Sequence, residues 1–476
     1  METSDYLYLL PLIILAGAPV LLLLVMSIHR NYRLVFGLTI LSVLLFMGAV
    51  SYTWSATAIP HQVGELLVVD SFTMFYLMLL GGAGLVILMV SYSYFSQSPG
   101  IREEYYVLFL TSLFGAGVLV ASTHFASLFL GLEILSVSLY AIIAYTRTRL
   151  RSIEGGLKYL ILAAASSAFL LFGMALIYTD TGALSFSEVG ASFQTMGQMS
   201  AAGLAMMLVG VGFKLALVPF HNWTPDIYEG APAPVSALIA SVSKGSMVAV
   251  LLRFIYATSG LNINWLVVTL SLMAMASMMV GSILALKQNN LKRLLAYSSI
   301  AHLGYILIAV LTRTELSLAA VTFYLVAYFI SIIGAFGTLA VFSSAEQEVE
   351  HLEDLQGMFW TRPWLSIIFS TMFFSLVGIP LTAGFIGKFY VVWAAVSDGL
   401  WLLAMVLVVS SVIGLYYYLR VIKTMLTPVD KDTSISSSAL PGMGLMVLSV
   451  LGLLILFLGI YPSDLIEIIK SISFNP

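Results

Sequence analysis

The chain has 476 residues, of which 20 are Lys or Arg, 23 Asp or Glu and 6 His, so only 9% carry a formal charge, 60% are hydrophobic and the mean hydropathy is +1.03. Ordinary soluble domains carry about 25% charged residues, and this balance excludes a disordered chain, a coiled coil, a soluble enzyme and an outer-membrane barrel, whose strands alternate apolar with polar residues. The net charge of −3 is spread along the chain and argues for no nucleic-acid partner, and the absence of Cys excludes disulfides, thiolate zinc, cysteine-ligated iron–sulfur clusters and covalently attached haem.

A helix needs about 20 mostly apolar residues to cross a bilayer. Fourteen segments meet that requirement, at 6–26, 34–54, 71–95, 105–121, 125–145, 157–178, 201–231, 234–258, 265–286, 291–311, 316–343, 363–396, 400–426 and 439–460. The expected fold is therefore an all-α polytopic membrane protein, a single helical domain rather than an anchor carrying a soluble head. The start, Met1-Glu2-Thr3-Ser4-Asp5, is acidic and lacks the basic region of a cleaved signal peptide.

Orientation follows from the loop cations. The loops after odd-numbered segments hold Arg30, Arg33, Arg102, Arg147, Arg149, Arg151, Lys287, Lys292, Arg293, Arg362, Arg420, Lys423 and Lys431, whereas the opposite side holds only Arg313 and Lys470. This predicts odd loops in the cytoplasm and both termini outside. A missed or invented helix would scramble so lopsided an alternation.

Two segments are too long for one straight span. The seventh is interrupted at Val218-Pro219-Phe220-His221 and the twelfth at Gly378-Ile379-Pro380. Proline lacks an N–H and clashes with the preceding turn, and a broken helix survives in a bilayer only where protein or a wet cavity satisfies the freed carbonyls. The prolines lie 161 residues apart, and segments four to eight repeat nearly the same spacing as nine to thirteen. Five spans per copy, an odd number, predict two inverted repeats, a transporter signature. The expected organisation is 1–104 as a three-helix leader, 105–260 as the first repeat, 261–427 as the second and 428–476 as the last helix and tail.

Six charged side chains fall inside spans: Glu133, Lys158, Lys214, Lys244, Arg253 and Lys388. Each costs about 2.5–3.5 kcal/mol at the bilayer centre on insertion scales, so each needs a reason. Glu133 is central in the fifth segment, Lys214 lies just before the Pro219 break, Lys244 is central in the eighth and Lys388 follows the Pro380 break. Burial disfavours a charged lysine and a nearby carboxylate favours it. Moving that carboxylate would switch a lysine between holding and releasing a proton, which is what a proton relay requires. A static Glu133–Lys214 ion pair would account for one lysine but leaves Lys244 and Lys388 unexplained. Lys158 is expected to snorkel or assist, and Arg253 to snorkel. His302, in the polar run from Tyr297 to Tyr305, and His221, at the seventh break between two lysines, are accessory candidates. His124 reads as interfacial. The acidic run 346–354, with His351, reads as a solvated loop, and 226–234 as a Pro-rich turn. There is no G-x-G-x-x-G, no P-loop and no acid cluster in the spans to ligate Ca²⁺ or Mg²⁺. No cofactor-binding or metal residue is assigned.

The segments Ser127–Glu133, Gly212–His221, Trp223–Val235, Lys292–Ile300 and Gly378–Lys388 carry a resemblance. In them the chain resembles the antiporter-like subunits of respiratory complex I, and among these subunit N of bacterial proton-translocating NADH:quinone oxidoreductase. The resemblance implies a proton-pumping role for Glu133, Lys214, Lys244 and Lys388, with Lys158, His221 and His302 as accessories. It implies a non-redox subunit of a translocase: NADH, FMN, iron–sulfur clusters and quinone are expected in partner subunits. Those partners would be the antiporter-like M and L, the small K and J and the A/H-type membrane subunits. The sister L type has a long lateral helix for which the roughly 16 residues after the last span are too few. The alternatives are a subunit of an Mrp-type cation/proton antiporter, which shares fold and lysines, an inert membrane scaffold, and a haem- or quinone-bearing subunit.

Overall fold

The structure, a computed structural model, describes residues 5–96, 102–193, 196–314, 316–343, 348–428 and 442–472. The acidic start before Asp5, Lys431, Glu346 and the first residues of the last predicted segment lie outside them. Sixteen of the described helices build the bundle, thirteen long and apolar enough to span a membrane, two shorter apolar ones and one of eight residues. In chain order they are α1 (Leu10–Ile28), α2 (Tyr32–Ala56), α3 (Ser71–Ser96), α4 (Glu104–Ala121), α5 (Phe125–Ile143), α6 (Leu150–Thr181) and α7 (Gln198–Leu215). After a break come α8 (Trp223–Gly230), α9 (Ala233–Ala257), α10 (Asn264–Leu286), α11 (Leu291–Leu311) and α12 (Leu316–Phe342). The last four are α13 (Pro363–Val377), α14 (Ala383–Ser397), α15 (Trp401–Leu426) and α16 (Gly442–Ile460). The only sheet among the described residues is a hairpin pairing His61–Val63 with Leu67–Val69.

These segments are helical because nothing else keeps every backbone N–H and C=O paired in an apolar medium. Their hydroxyls stay paired in the same way. Thr39 Oγ1 donates to the Val35 carbonyl at 2.7 Å, and Ser136 Oγ to the Leu132 carbonyl at 2.6 Å, each one turn back. Helices approach closely where both partners are small. A Cβ on Gly173 of α6 would sit 2.5 Å from the Gly203 carbonyl of α7, so this contact requires glycine.

Three helices form the centre. α9 is buried along its whole length and α11 and α12 almost so, whereas α1, α2, α6 and α15 show broad apolar faces outward. The sixth predicted span starts seven residues earlier than expected, at Leu150, which puts Lys158 two turns inside α6. Within α9, Ile239–Ser243 form one π-turn that ends at Lys244.

Both predicted breaks are present, with a cause the proline argument did not supply. α7 stops at Leu215, where Ala216 turns left-handed at φ +59°, and α13 stops at Val377, where Gly378 does so at φ +87°. In each case the next N–H reaches five residues back: Leu217 to the Gly212 carbonyl at 2.8 Å, and Ile379 to the Phe374 carbonyl at 3.0 Å. These are Schellman caps. Pro219 and Pro380, a few residues on, prevent continuation rather than start the break.

Two readings need correction. Arg253 does not snorkel: it is fully buried and paired through both terminal nitrogens with Asp70, at 2.9 and 3.0 Å. Asp70 in turn accepts the Thr73 N–H at 2.7 Å, at the start of α3. A guanidinium with a bidentate partner at hand gains more from that pair than from reaching for water. The second is the acidic run. Its described part is only half in solvent: His351, Glu353 and Asp354 are exposed, but the Glu348 side chain is 1% exposed, and Leu291 N–H on the Glu350 carbonyl at 2.6 Å ties the segment to the start of α11.

Candidate functional site

Three buried lysines share one environment. Lys214, in the last turn of α7, donates to Ser136 Oγ of α5 at 2.9 Å and to Tyr159 OH of α6 at 3.1 Å, and its Nζ stands 5.5 Å from the centre of the Tyr159 ring. Lys244, at the end of the π-turn in α9, donates to Ser299 Oγ of α11 at 2.6 Å and lies 5.4 Å from the Tyr228 ring of α8. Lys388 of α14 donates to Ser411 Oγ of α15 at 3.0 Å and lies 4.9 Å from the Tyr305 ring of α11. Each ammonium thus meets a serine hydroxyl that can pass a proton and a tyrosine face that tolerates positive charge. No carboxylate pairs with any of the three among the described residues.

The breaks supply part of this geometry. Lys388 Nζ also donates to the Val377 carbonyl at 2.8 Å, one of the acceptors that the end of α13 sets free. A Cβ on Gly378 would come within 2.9 Å of Lys388 Cδ, so the capping glycine and the lysine stem fit together. At the other break the indole N–H of Trp223 donates to the Phe213 carbonyl at 2.9 Å.

Between Lys244 and Lys388 runs a line of hydroxyls and rings on α11, α12 and α15. Ser299 also accepts from Tyr328 OH at 2.8 Å. His302 bonds Tyr324 OH through Nδ1 at 2.7 Å and Tyr418 OH through Nε2 at 3.4 Å, and Tyr418 bonds Ser298. Its ring packs against Tyr305 and Tyr328 with centroids 5.3 and 5.5 Å away. Tyr305 OH meets Ser410 at 2.7 Å. His302 therefore lies between two of the lysines, in ring contact with Tyr328, which bonds the serine of Lys244, and with Tyr305, whose ring faces Lys388.

The other expected residues stand differently. Glu133 is half-buried and forms no salt bridge with Lys214; it accepts from Ser167 Oγ of α6 at 2.5 Å. Glu133 and Lys214 thus form no direct ion pair, and each bonds a different serine, Ser167 and Ser136. Ser136 lies one turn beyond Glu133, and a cavity about large enough for one water is lined by Ser136, Ser166, Ser167 and Lys214. His221 is buried in the seventh break, but no hydrogen bond joins its ring to Lys214 or Lys244 among the described residues. Lys158 is 43% exposed and pairs with Glu154 at 2.7 Å and Asp226 at 3.0 Å.

Lys158 belongs to a second cluster, at the end of the bundle where α6 and α11 begin. Arg293 bridges Asp226 and Glu229 at 2.7 and 2.8 Å, Arg151 bridges Glu229 and Glu350 at 2.9 and 3.2 Å, and Arg149 pairs with Glu348 and Glu350. Lys292 pairs with Glu348 at 2.7 Å. Burial alone would raise the Glu348 carboxyl, but the charges of Lys292 and Arg149, with hydrogen bonds from Lys292 and Tyr94, hold it below the usual glutamate range.

Sequence reading missed the serines and tyrosines, because Ser and Tyr are unremarkable in a span. Their one signal is spacing: Ser136 is one turn from Glu133, and Ser299 lies in the polar run around His302. Among the described residues no group of three or more His, Asp or Glu is placed to hold a metal.

Comparisons with known proteins fit this arrangement. Residues 122–414 match the family model described as NADH:quinone oxidoreductase/Mrp antiporter, TM. NADH-quinone oxidoreductase subunit N of Methylococcus capsulatus is 42% identical over 100% of this chain and 97% of its own, and the protein of that name from Acinetobacter baumannii is 43% identical over 98% and 95%. A chain of respiratory complex I from Thermus thermophilus superposes with a TM-score of 0.83 at 31% identity, covering 97% of this chain and 100% of that one. A chain of the Mrp complex from Dietzia gives 0.87 at 19% identity over 99% and 97%, which shows the fold alone. A chain with a broken-helix bundle, lysines buried on its central helices and relatives of this identity along its full length belongs to the antiporter-like membrane subunits of NADH-quinone oxidoreductase, in the subunit N group.

Proposed function

We propose that this multi-pass subunit of respiratory complex I forms one proton-translocation path, driven by NADH oxidation and quinone reduction carried out elsewhere in the complex. The observation that carries the proposal is the threefold recurrence of a buried lysine held by a serine hydroxyl beside a tyrosine ring, at Lys214, Lys244 and Lys388. Glu133 with Ser167 and Ser136 supplies the acid end next to Lys214. His302 and its tyrosines supply the stretch between Lys244 and Lys388. Lys158, in its exposed ion-pair cluster, stands at a mouth of about 500 Å³ lined also by Arg151, Glu154, Asp226 and Glu229, and His221 has an accessory place at the break. In this reading the chain is a non-redox part of a translocase. NADH, FMN, iron–sulfur clusters and quinone belong to partner subunits, and the M, L, K, J and A/H-type membrane subunits are its neighbours.

The reading includes two inverted copies, 105–260 and 261–427, in a fold of fourteen spans once α7 with α8 and α13 with α14 each count as one broken helix. The matching Schellman caps at Ala216 and Gly378 support it. It also includes both termini on the periplasmic side, from the loop-cation bias. The likeness to the Mrp complex rests on fold alone, whereas that to the subunit N group rests on sequence along the whole chain.

The test is alanine at Lys214, Lys244 or Lys388 in the complete complex. Loss of a positioned acid–base group slows proton transfer by about 100-fold or more, so each variant should assemble to normal content and pump protons at a strongly reduced rate. Normal content with unchanged pumping in all three would defeat the relay.

A further inference from the structure

Glu348 occupies a position that the relay does not use and that a loop acid has no need of. Its carboxylate is enclosed by four donors, three on helices and one on the residue preceding α6. Oε1 accepts from Tyr94 OH at the end of α3 at 2.7 Å and from the Ala233 N–H, the first residue of α9, at 3.0 Å. Oε2 accepts from Lys292 Nζ of α11 at 2.7 Å and from Arg149 just before α6. Lys292 Nζ donates in addition to the Ala231 carbonyl at 2.7 Å, closing a ring of carboxylate, ammonium and the two peptide groups that flank Pro232.

That ring sits at one end of the same helix pair that meets at Lys244. Lys292 and Ser299 are seven residues apart on α11, two turns on one face, about 10 Å along the axis. Ala233 and Lys244 are eleven residues apart on α9, about 16 Å along it. α9 and α11 are thus bonded polar-to-polar twice: by the Glu348 ring at their ends, and by Lys244 on Ser299 deeper in. Glu348 itself enters from the segment after α12, and α12 carries Tyr328, which bonds Ser299, and Tyr324, which bonds His302. The Glu348 carboxylate therefore joins α9 to α11, and Val349 N–H on Ser343 Oγ at 2.9 Å ties the same segment to the end of α12.

We propose that Glu348 is a positioning residue for proton transfer at Lys244, fixing the separation of α9 and α11 at which the ammonium reaches Ser299. The inference rests on the relay reading above. Proton transfer needs donor and acceptor within hydrogen-bond reach, and a shift of about 1 Å can cost as much as 100-fold in rate. Without the carboxylate, Lys292 and the Ala233 N–H lose the acceptor they share, and only Lys292 on the Ala231 carbonyl still links that end of α9 to α11, while Arg149 keeps Glu350.

The test compares Glu348→Gln, Glu348→Leu and Lys244→Ala in the complete complex reconstituted into liposomes. Three quantities are read: subunit content, NADH oxidation in uncoupled liposomes, and protons pumped per NADH oxidised. Glu348→Gln keeps an oxygen for the Ala233 N–H, and Glu348→Leu keeps none. The expected result is protons per NADH lowered about twofold or more in Glu348→Leu and less in Glu348→Gln, with uncoupled oxidation retained. If either variant lowers the content, the ratio in the complex that remains decides, because a purely structural role leaves that ratio normal. Normal ratios in both variants alongside a lowered ratio in Lys244→Ala overturn the positioning role and leave the relay standing. A normal ratio in Lys244→Ala removes Lys244 from the proton path and, with it, overturns this inference.

Discussion

At the scale of single residues, the molecule uses charge in three ways. The buried lysines have no carboxylate partner among the described residues and rest instead on serine hydroxyls and tyrosine ring faces. Asp70 and Arg253 are the opposite case: fully buried, bidentate, with Thr73 Oγ1 also accepting from the guanidinium at 2.9 Å. Such a pair is fixed rather than mobile. Breaking a buried pair from one side costs about 3–5 kcal/mol because a charge loses its partner in a dry site, whereas replacing both by apolar residues is often neutral. Asp70→Ala should therefore lower the stability of the purified complex by about that amount in thermal unfolding, and Asp70→Leu with Arg253→Met should recover most of it. Equal losses in the single and the double variant would show that the pair itself is not the source. Glu348 is the third case, an ionised group spent on alignment. Of these, only the lysines were legible in the sequence, because a lysine in a span is rare. Asp70 and Glu348 each fall outside the predicted cores of the helices they serve, and their burial comes from distant partners.

At the scale of elements, the two broken helices are the clearest case of local chemistry setting geometry. Each ends in a left-handed residue that frees carbonyls for a tertiary donor. Gly378 adopts φ +87° without strain, and Ala216 adopts φ +59° at a cost of about 1–2 kcal/mol. Gly378→Ala should accordingly destabilise by about 1–2 kcal/mol and disturb Lys388, since its new Cβ meets the lysine stem, while Ala216→Gly should stay within about 1 kcal/mol of the parent. Melting temperatures of the two variants, measured beside proton pumping, check this; a tolerated Gly378→Ala with full pumping would contradict it. The π-turn before Lys244 is a second local feature, and one that apolar periodicity over 234–258 could not reveal, because all its residues are buried and the pattern has no polar face to count against.

At the scale of the whole molecule, α5 runs from the end that carries the hairpin, where Thr123 N–H bonds the Leu66 carbonyl, to the end that carries Arg149 and the ion-pair cluster. The loop-cation bias assigns the second end to the cytoplasm. The chain contains no Cys, so single cysteines report cleanly. Glu65→Cys, exposed at the hairpin, should react with an impermeant thiol reagent from the periplasmic side, and Glu353→Cys, exposed at the other end, only from the cytoplasmic side. The reverse pattern would invert the orientation. The sequence by itself determined the membrane class, nearly all of the helices, the two break sites and the four charged span residues proposed for the relay. Apolar length, proline and a charge in lipid are local signals whose meaning does not depend on neighbours. Only the tertiary structure decided that Ser136, Ser299 and Ser411 receive the lysines, that Glu133 bonds Ser167 rather than Lys214, that Arg253 is locked to Asp70, and that Glu348 and Glu350 of the acidic loop are buried on basic partners. Those outcomes depend on which side chains from helices scores to hundreds of residues apart come within 3 Å, and in an interior without water each polar group takes the partner that packing brings to it.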